Sequence, residues 1–131
     1  MPQYMLLIYN PVEGGPTPEE MAAQHQRWMS YTEDLNSAGL LVGGEALRGV
    51  DVATTVRVRG AQTQVTDGPF AETKEFLAGY YLIDAADLDT ALSWAGRMPN
   101  IEYGSVEVRP VWDVSGSVSE AETVQTAAGS Q

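Results

Sequence analysis

Cysteine is absent from the 131 residues. That removes a disulfide framework, a Cys-ligated zinc or iron–sulfur site and a thiol nucleophile. Histidine occurs once, at His25, and positive charge is scarce: 7 Lys and Arg stand against 18 Asp and Glu, a formal net charge of −11. The bases (Arg27, Arg48, Arg57, Arg59, Lys74, Arg97, Arg109) are scattered along the chain. Affinity for a phosphate backbone rests on clustered Lys and Arg, so direct nucleic-acid binding is not expected, and anionic membrane surfaces are disfavoured for the same reason. No apolar run approaches the ~18 residues of a membrane span, and MPQYMLLIYNPVEGG has neither a basic n-region nor a small-residue cleavage site. The expected location is cytoplasmic. Gly39, Gly43 and Gly44 make no G-x-G-x-x-G pattern, no G-x-S-x-G elbow is present, and one His without Cys is a thin basis for a metal. No cofactor and no metal are therefore expected.

Hydrophobic residues make up 44% of the chain, enough for one core at the usual size of one domain. Tyr4 to Tyr9 (YMLLIY) is an apolar run closed by Asn10-Pro11 and Gly14-Gly15-Pro16, and reads as a buried strand. Thr17 stands at an N-cap position, with Pro18 at the first helical position and Glu20 completing a capping box. The helix it opens is expected to run to about Ala38. Met21, His25, Trp28, Thr32 and Leu35 lie on one helical face, a seam expected to pack on a sheet. LLVGGEAL (40–47) is a second strand whose Gly43-Gly44 pair suggests a bulge or a close backbone approach. TTVRVR (54–59), turned by Gly60-Ala61 into 63–66, reads as a hairpin with one wet face. LAGYYLI (77–83) is another apolar strand. A second helix is expected over about 88–98 and a last strand at 106–111. Beyond Ser115 the composition turns to Ser, Ala, Gly, Thr and Gln, which predicts a domain over 1–113 and a disordered tail over 114–131.

That element order predicts an α+β fold: a ferredoxin-like split β-α-β with an extra hairpin, in which an antiparallel sheet carries two helices on one face. The other face stays uncovered. Strands apolar on both sides would then leave an exposed patch larger than monomers usually keep, so a homodimer through the sheet faces is expected.

The segment Thr66-Asp67-Gly68-Pro69-Phe70, followed by ETKEFLAGYY (72–81), resembles the DGPF signature of YCII-related proteins. YMLLIY, AGLLVGGEAL, TTVRVR and EYGSVEVRPV extend the resemblance over roughly residues 3 to 112. It implies a ferredoxin-like fold assembled as a dimeric α+β barrel, with a cleft near the dimer interface that binds a small molecule. Members of that family include one kind with lyase-type activity on a chlorinated aromatic. Enzyme-like members carry a helix His and an Asp after the second strand; by alignment on Ala38-Gly39-Leu40-Leu41 the helix His falls at about Trp28, one turn from His25. The DGPF branch is often encoded beside extracytoplasmic-function sigma factors, which implies, as the alternative to an enzyme, a ligand-sensing or protein-interaction module.

His25 is the first candidate for proton transfer, because imidazole is the side-chain type that titrates near neutrality; a packed, hydrogen-bonded core histidine is the competing reading. Asp67-Gly68-Pro69 is a turn signal in its own right. The functional reading has the turn deliver Asp67 and Glu72 as further acid/base groups and Lys74 as a polar ligand contact, at the mouth of a cleft. Trp28, Phe70, Tyr80 and Tyr81 are candidates to line it. Tyr80 and Tyr81 must point to opposite faces of their strand. The chemistry open to such a set is cofactor-free elimination, isomerisation or hydrolysis.

Overall fold

The computed structural model describes residues 1–114; the tail expected beyond Ser115 lies outside them. Four strands form one antiparallel sheet: β1 (Gln3–Pro11), β2 (Leu41–Ala46), β5 (Glu75–Asp84) and β6 (Ser105–Pro110), in the order β2-β5-β1-β6. Helix α1 (Pro18–Ser37) joins β1 to β2 and helix α2 (Leu88–Ala95) joins β5 to β6, which is the split β-α-β arrangement. Strands β3 (Thr54–Arg59) and β4 (Gln62–Asp67) form a separate two-stranded sheet. Gly60 and Ala61 both take positive φ at its turn, the geometry that matches the twist of a tight hairpin.

Strand β1 alternates strictly. Tyr4, Leu6 and Ile8 are buried, while Met5, Leu7 and Tyr9 are half-buried on the opposite face. The buried set meets Ile83 of β5, Leu35 and Tyr31 of α1, Ala91 and Ala95 of α2, and Met98. Both helices thus cover the same sheet face. Tyr31 binds them together: its hydroxyl donates to the Trp94 carbonyl at 2.8 Å and its ring meets Trp94 edge-on at 5.9 Å. Among the described residues, no helix is long and apolar enough to cross a membrane.

The capping box at Thr17 and Glu20 forms as expected, with reciprocal bonds of 3.1 Å. The Gly43-Gly44 expectation also holds, since the β2–β5 register shifts between Leu41 and Gly43 and a Cβ on Gly44 would lie 2.6 Å from the Tyr80 carbonyl oxygen. Helix α2 stops at Ala95, short of the expected Met98, because the chain tightens at Gly96 and drops Met98 into the core through short-range turns. The α1 seam departs more. Tyr31 and Leu35 are buried, but Met21 is 56% exposed and His25 is also exposed, so only the C-terminal half of the helix packs on the sheet.

Candidate functional site

The N-terminal half of α1 stands clear of the sheet because the residues beneath it have no bulk. Gly44, Ala46 and Gly79 occupy adjacent helix-facing positions where β2 and β5 pair, with Gly44 opposite Tyr81 and Ala46 opposite Gly79. A Cβ on Gly79 would lie 2.7 Å from the Glu45 carbonyl oxygen, so the two strands approach too closely there for any side chain. Ala78 is bulged out of the β1–β5 register, between the Ile8–Gly79 and Tyr9–Leu77 pairs. The result is a cleft of about 620 Å³ whose floor is strand backbone and whose roof is Met21, Gln24, His25, Trp28 and Thr32 of α1. Its size is that of a small-molecule site.

The walls are aromatic and the polar groups few. Phe76, Trp28 and Tyr81 face the cavity with Ile8 and Leu47, and the Trp28 and Tyr81 rings pack edge-on against Tyr31. Thr32 Oγ1 donates to the Trp28 carbonyl at 3.0 Å, so in its 2.6 Å contact with Tyr81 the phenol is the donor. The Tyr81 oxygen keeps its lone pairs for an incoming donor. Tyr103 donates to Gln24 Oε1 at 2.9 Å, which leaves the Gln24 amide NH2 as a free-standing donor group. Burial raises the Tyr103 hydroxyl above its ordinary pKa, so the phenol stays protonated.

Asn10 is aimed in the same way. Fully buried Asn100 donates from Nδ2 to Asn10 Oδ1 at 3.1 Å and to the carbonyls of Tyr9 and Ser105 at 3.3 and 3.4 Å. With its oxygen engaged, Asn10 offers its NH2 to the cleft it lines. His25 completes the polar lining; Glu45 borders the floor with its backbone, its side chain sharing the opposite sheet face with Tyr80.

Of the residues expected to form a site, the structure brings the side chains of His25, Trp28 and Tyr81 to this cleft, while Tyr80 borders it only along the strand backbone. It does not bring Asp67, Glu72, Phe70 or Lys74 to it. Those four sit on or after the hairpin, all exposed, and Phe70 is 78% exposed. The Asp67-Gly68-Pro69-Phe70 turn is tied instead to β3: Gly68 N–H donates to the Ala53 carbonyl, Thr55 to the Gly68 carbonyl, and Arg57 to the Phe70 carbonyl at 2.9 Å while lying over its ring. Gly68 has φ +115°, a conformation only glycine adopts without strain. Tyr81 points toward α1; Tyr80 by strand alternation belongs to the other sheet face. Sequence reasoning missed Asn10, Gln24, Gly79 and Tyr103. Only Gly79 carried a local signal, as a glycine inside an apolar strand.

A family model described as the YCII-related domain matches residues 2–115. The chain belongs to the YCII-related family. Among curated relatives, an uncharacterized protein of Rhizobium meliloti is 54% identical over 61 residues, which is 45% of this chain and 49% of that protein. The match thus spans about half the length of that relative. Among solved structures, 5-chloro-2-hydroxyhydroquinone dehydrochlorinase of Burkholderia phenoliruptrix, in complex with 2,5-dihydroxybenzoquinone, superposes with a TM-score of 0.50 at 13% identity. The alignment covers 84% of the YCII-related chain and 93% of the dehydrochlorinase. At that identity the likeness is one of fold.

Proposed function

We propose that this YCII-related chain binds a small, hydroxylated or oxo-substituted aromatic molecule in the cleft beneath α1, and that His25 transfers a proton to or from it. The cleft carries the reading: an aromatic cavity of about 620 Å³ whose polar groups include two amide donors, one unspent phenol oxygen and one imidazole. Ring oxygens suit the Asn10 and Gln24 amides as acceptors, and a ring hydroxyl suits Tyr81 as a donor. The dehydrochlorinase of similar fold holds a dihydroxybenzoquinone, which makes that molecule the first probe. Asp67, Glu72 and Lys74 stand outside this constellation, so the acid/base assignment concentrates on His25.

The test is calorimetric titration and thermal shift with 2,5-dihydroxybenzoquinone and a panel of hydroxylated benzenes; a ligand at a hundred times its Kd stabilises by about 2.7 kcal/mol. Trp28→Ala and Tyr81→Phe should weaken binding, and His25→Ala should abolish turnover with binding largely kept. Unchanged binding in Trp28→Ala and Tyr81→Phe would remove the cleft from consideration. Binding without turnover in the wild type, together with co-elution of an extracytoplasmic-function sigma factor, would select the sensing module instead.

The same reading includes a homodimer. Met5, Leu7, Tyr9, Leu77, Tyr80 and Leu82 share the sheet face that no helix covers. Burying that face in a second copy removes apolar surface from water at about 25 cal/mol per Å². The cleft opens on the opposite, helix-covered side and stays accessible in such a pair. Light scattering at micromolar concentration tests it, and a strict monomer would overturn it.

A further inference from the structure

The two side-chain amides that line the cleft are held in different ways. Gln24 donates as it stands, yet it can turn over without losing its bond, because the Tyr103 hydroxyl accepts as readily as it donates. Asn10 cannot. Its oxygen faces Nδ2 of Asn100 at 3.1 Å, and that nitrogen also meets the carbonyls of Tyr9 and Ser105 at 3.3 and 3.4 Å. A backbone carbonyl only accepts, so Asn100 must keep its NH2 toward this group, and Asn10 must keep its Oδ1 toward Asn100 and its NH2 toward the cleft. A flip of Asn10 would set two NH2 groups against each other.

This lock is built into the turn that follows α2. The Asn100 carbonyl accepts from the Tyr103 and Gly104 N–H groups at 3.1 and 2.7 Å, which curls residues 100–104 tightly and brings the Asn100 side chain to the end of β1. Gly104 leaves the clearance: a Cβ there would lie 2.8 Å from Asn10 Oδ1 and 3.0 Å from Asn100 Nδ2, crowding both ends of the bond. Asn100 is fully buried, and its Oδ1 has no hydrogen-bond partner among the described residues. An amide buried with one end unpaired is a poor choice for stability alone. Its donating end is what the site uses.

We infer that Asn100 is a positioning residue that sets the ligand class: by locking Asn10 as a donor, it makes the cleft select a ring bearing an oxygen acceptor over the isosteric ring bearing an amino group at the same place. The inference rests on the aromatic binding proposed above and adds what the cleft rejects. A ring hydroxyl or carbonyl oxygen accepts from the Asn10 NH2. An arylamine, whose lone pair is delocalised into the ring, sets N–H against N–H and leaves both donors unpaired. Gln24 imposes no such choice, since it can turn over to suit either ligand.

The test uses matched pairs, the hydroxylated benzenes of the panel above and their amino counterparts, with resorcinol against 1,3-diaminobenzene first, titrated calorimetrically near neutral pH where both are uncharged. The wild type should favour the hydroxyl member by roughly tenfold, the difference between a hydrogen bond made and one left unpaired. Asn10→Asp still accepts from Asn100 but turns a carboxylate oxygen to the ligand, and should reverse the preference. Asn100→Ala frees Asn10 to turn over and should bring the ratio of the two dissociation constants near one. A purely structural loss at Asn100 would move both constants together, so the ratio is the readout. An unchanged ratio in Asn10→Asp, or in folded Asn100→Ala, overturns the inference, and the first variant decides it even where the second does not fold. A wild type that binds both members of each pair equally overturns the selection and leaves the aromatic cleft standing. A wild type that binds no member of the panel overturns both.

Discussion

Replacing Gly79 by alanine tests the construction of the cleft floor. The added Cβ would sit 2.7 Å from the Glu45 carbonyl oxygen and 3.2 Å from the Ala46 Cα, and both are backbone atoms of β2 held by the ladder to β5. Neither can rotate away, so β2 must shift off β5. Overpacking of this kind costs about 1–3 kcal/mol. For a domain of this size, that lowers the melting temperature by roughly 4–12 °C. Gly43 is the internal control: it lies in the same strand, and a Cβ there meets nothing within 4 Å. Gly43→Ala should fall within about 0.5 kcal/mol of wild type, as surface substitutions do. Paired urea melts of the two variants measure the difference, and titration of the cleft ligand into folded Gly79→Ala measures whether the floor has moved. Equal stability of Gly43→Ala and Gly79→Ala would refute the claim that backbone approach at Gly79 shapes the floor.

Tyr31→Phe removes the bond to the Trp94 carbonyl and should cost about 1–2 kcal/mol, read from chemical denaturation. Burial, chiefly, holds the Tyr31 hydroxyl well above its ordinary pKa of about 10. The unfolded chain therefore loses this proton first, and the stability it represents is complete below about pH 10 and falls as pH rises further; Tyr31→Phe should flatten that alkaline decline, and an unchanged slope would contradict the assignment. Thr17→Ala deletes one half of the capping box and should cost about 1 kcal/mol, with Glu20→Ala not additive to it because the two bonds are reciprocal. Two Thr90 bonds, from side chain and backbone, hold the Asp87 carboxyl below its ordinary pKa. Their stabilisation is present above the unfolded carboxylate's pKa and lost as pH falls through the folded one, so the deficit of Asp87→Ala in thermal melts should shrink in acid.

Local rules were enough for much of the fold. The capping box of α1, the hairpin from Thr54, the alternation of β1 and the Gly43-Gly44 irregularity each depend on residues within a few positions of one another, and each could be read from the chain. The DGPF segment was legible as a turn and as the mark of the family, since glycine's positive φ at Gly68 is a local requirement. The site was legible only in part. His25, Trp28 and Tyr81 could be chosen for their chemistry, but whether His25 lay against the sheet or over a cavity depended on what occupied the sheet beneath it. That was decided by Gly44, Ala46 and Gly79, brought side by side by strand pairing across more than thirty residues of chain. Asn10 and Gln24 became donors only because Asn100 and Tyr103, distant in sequence, take up their oxygens. Sequence determines what each segment can do on its own. Which residues face one another across a cavity is a property of packing between segments, and here it gathered His25 with Asn10, Gln24 and Tyr81 while leaving Asp67 and Glu72 on the hairpin side.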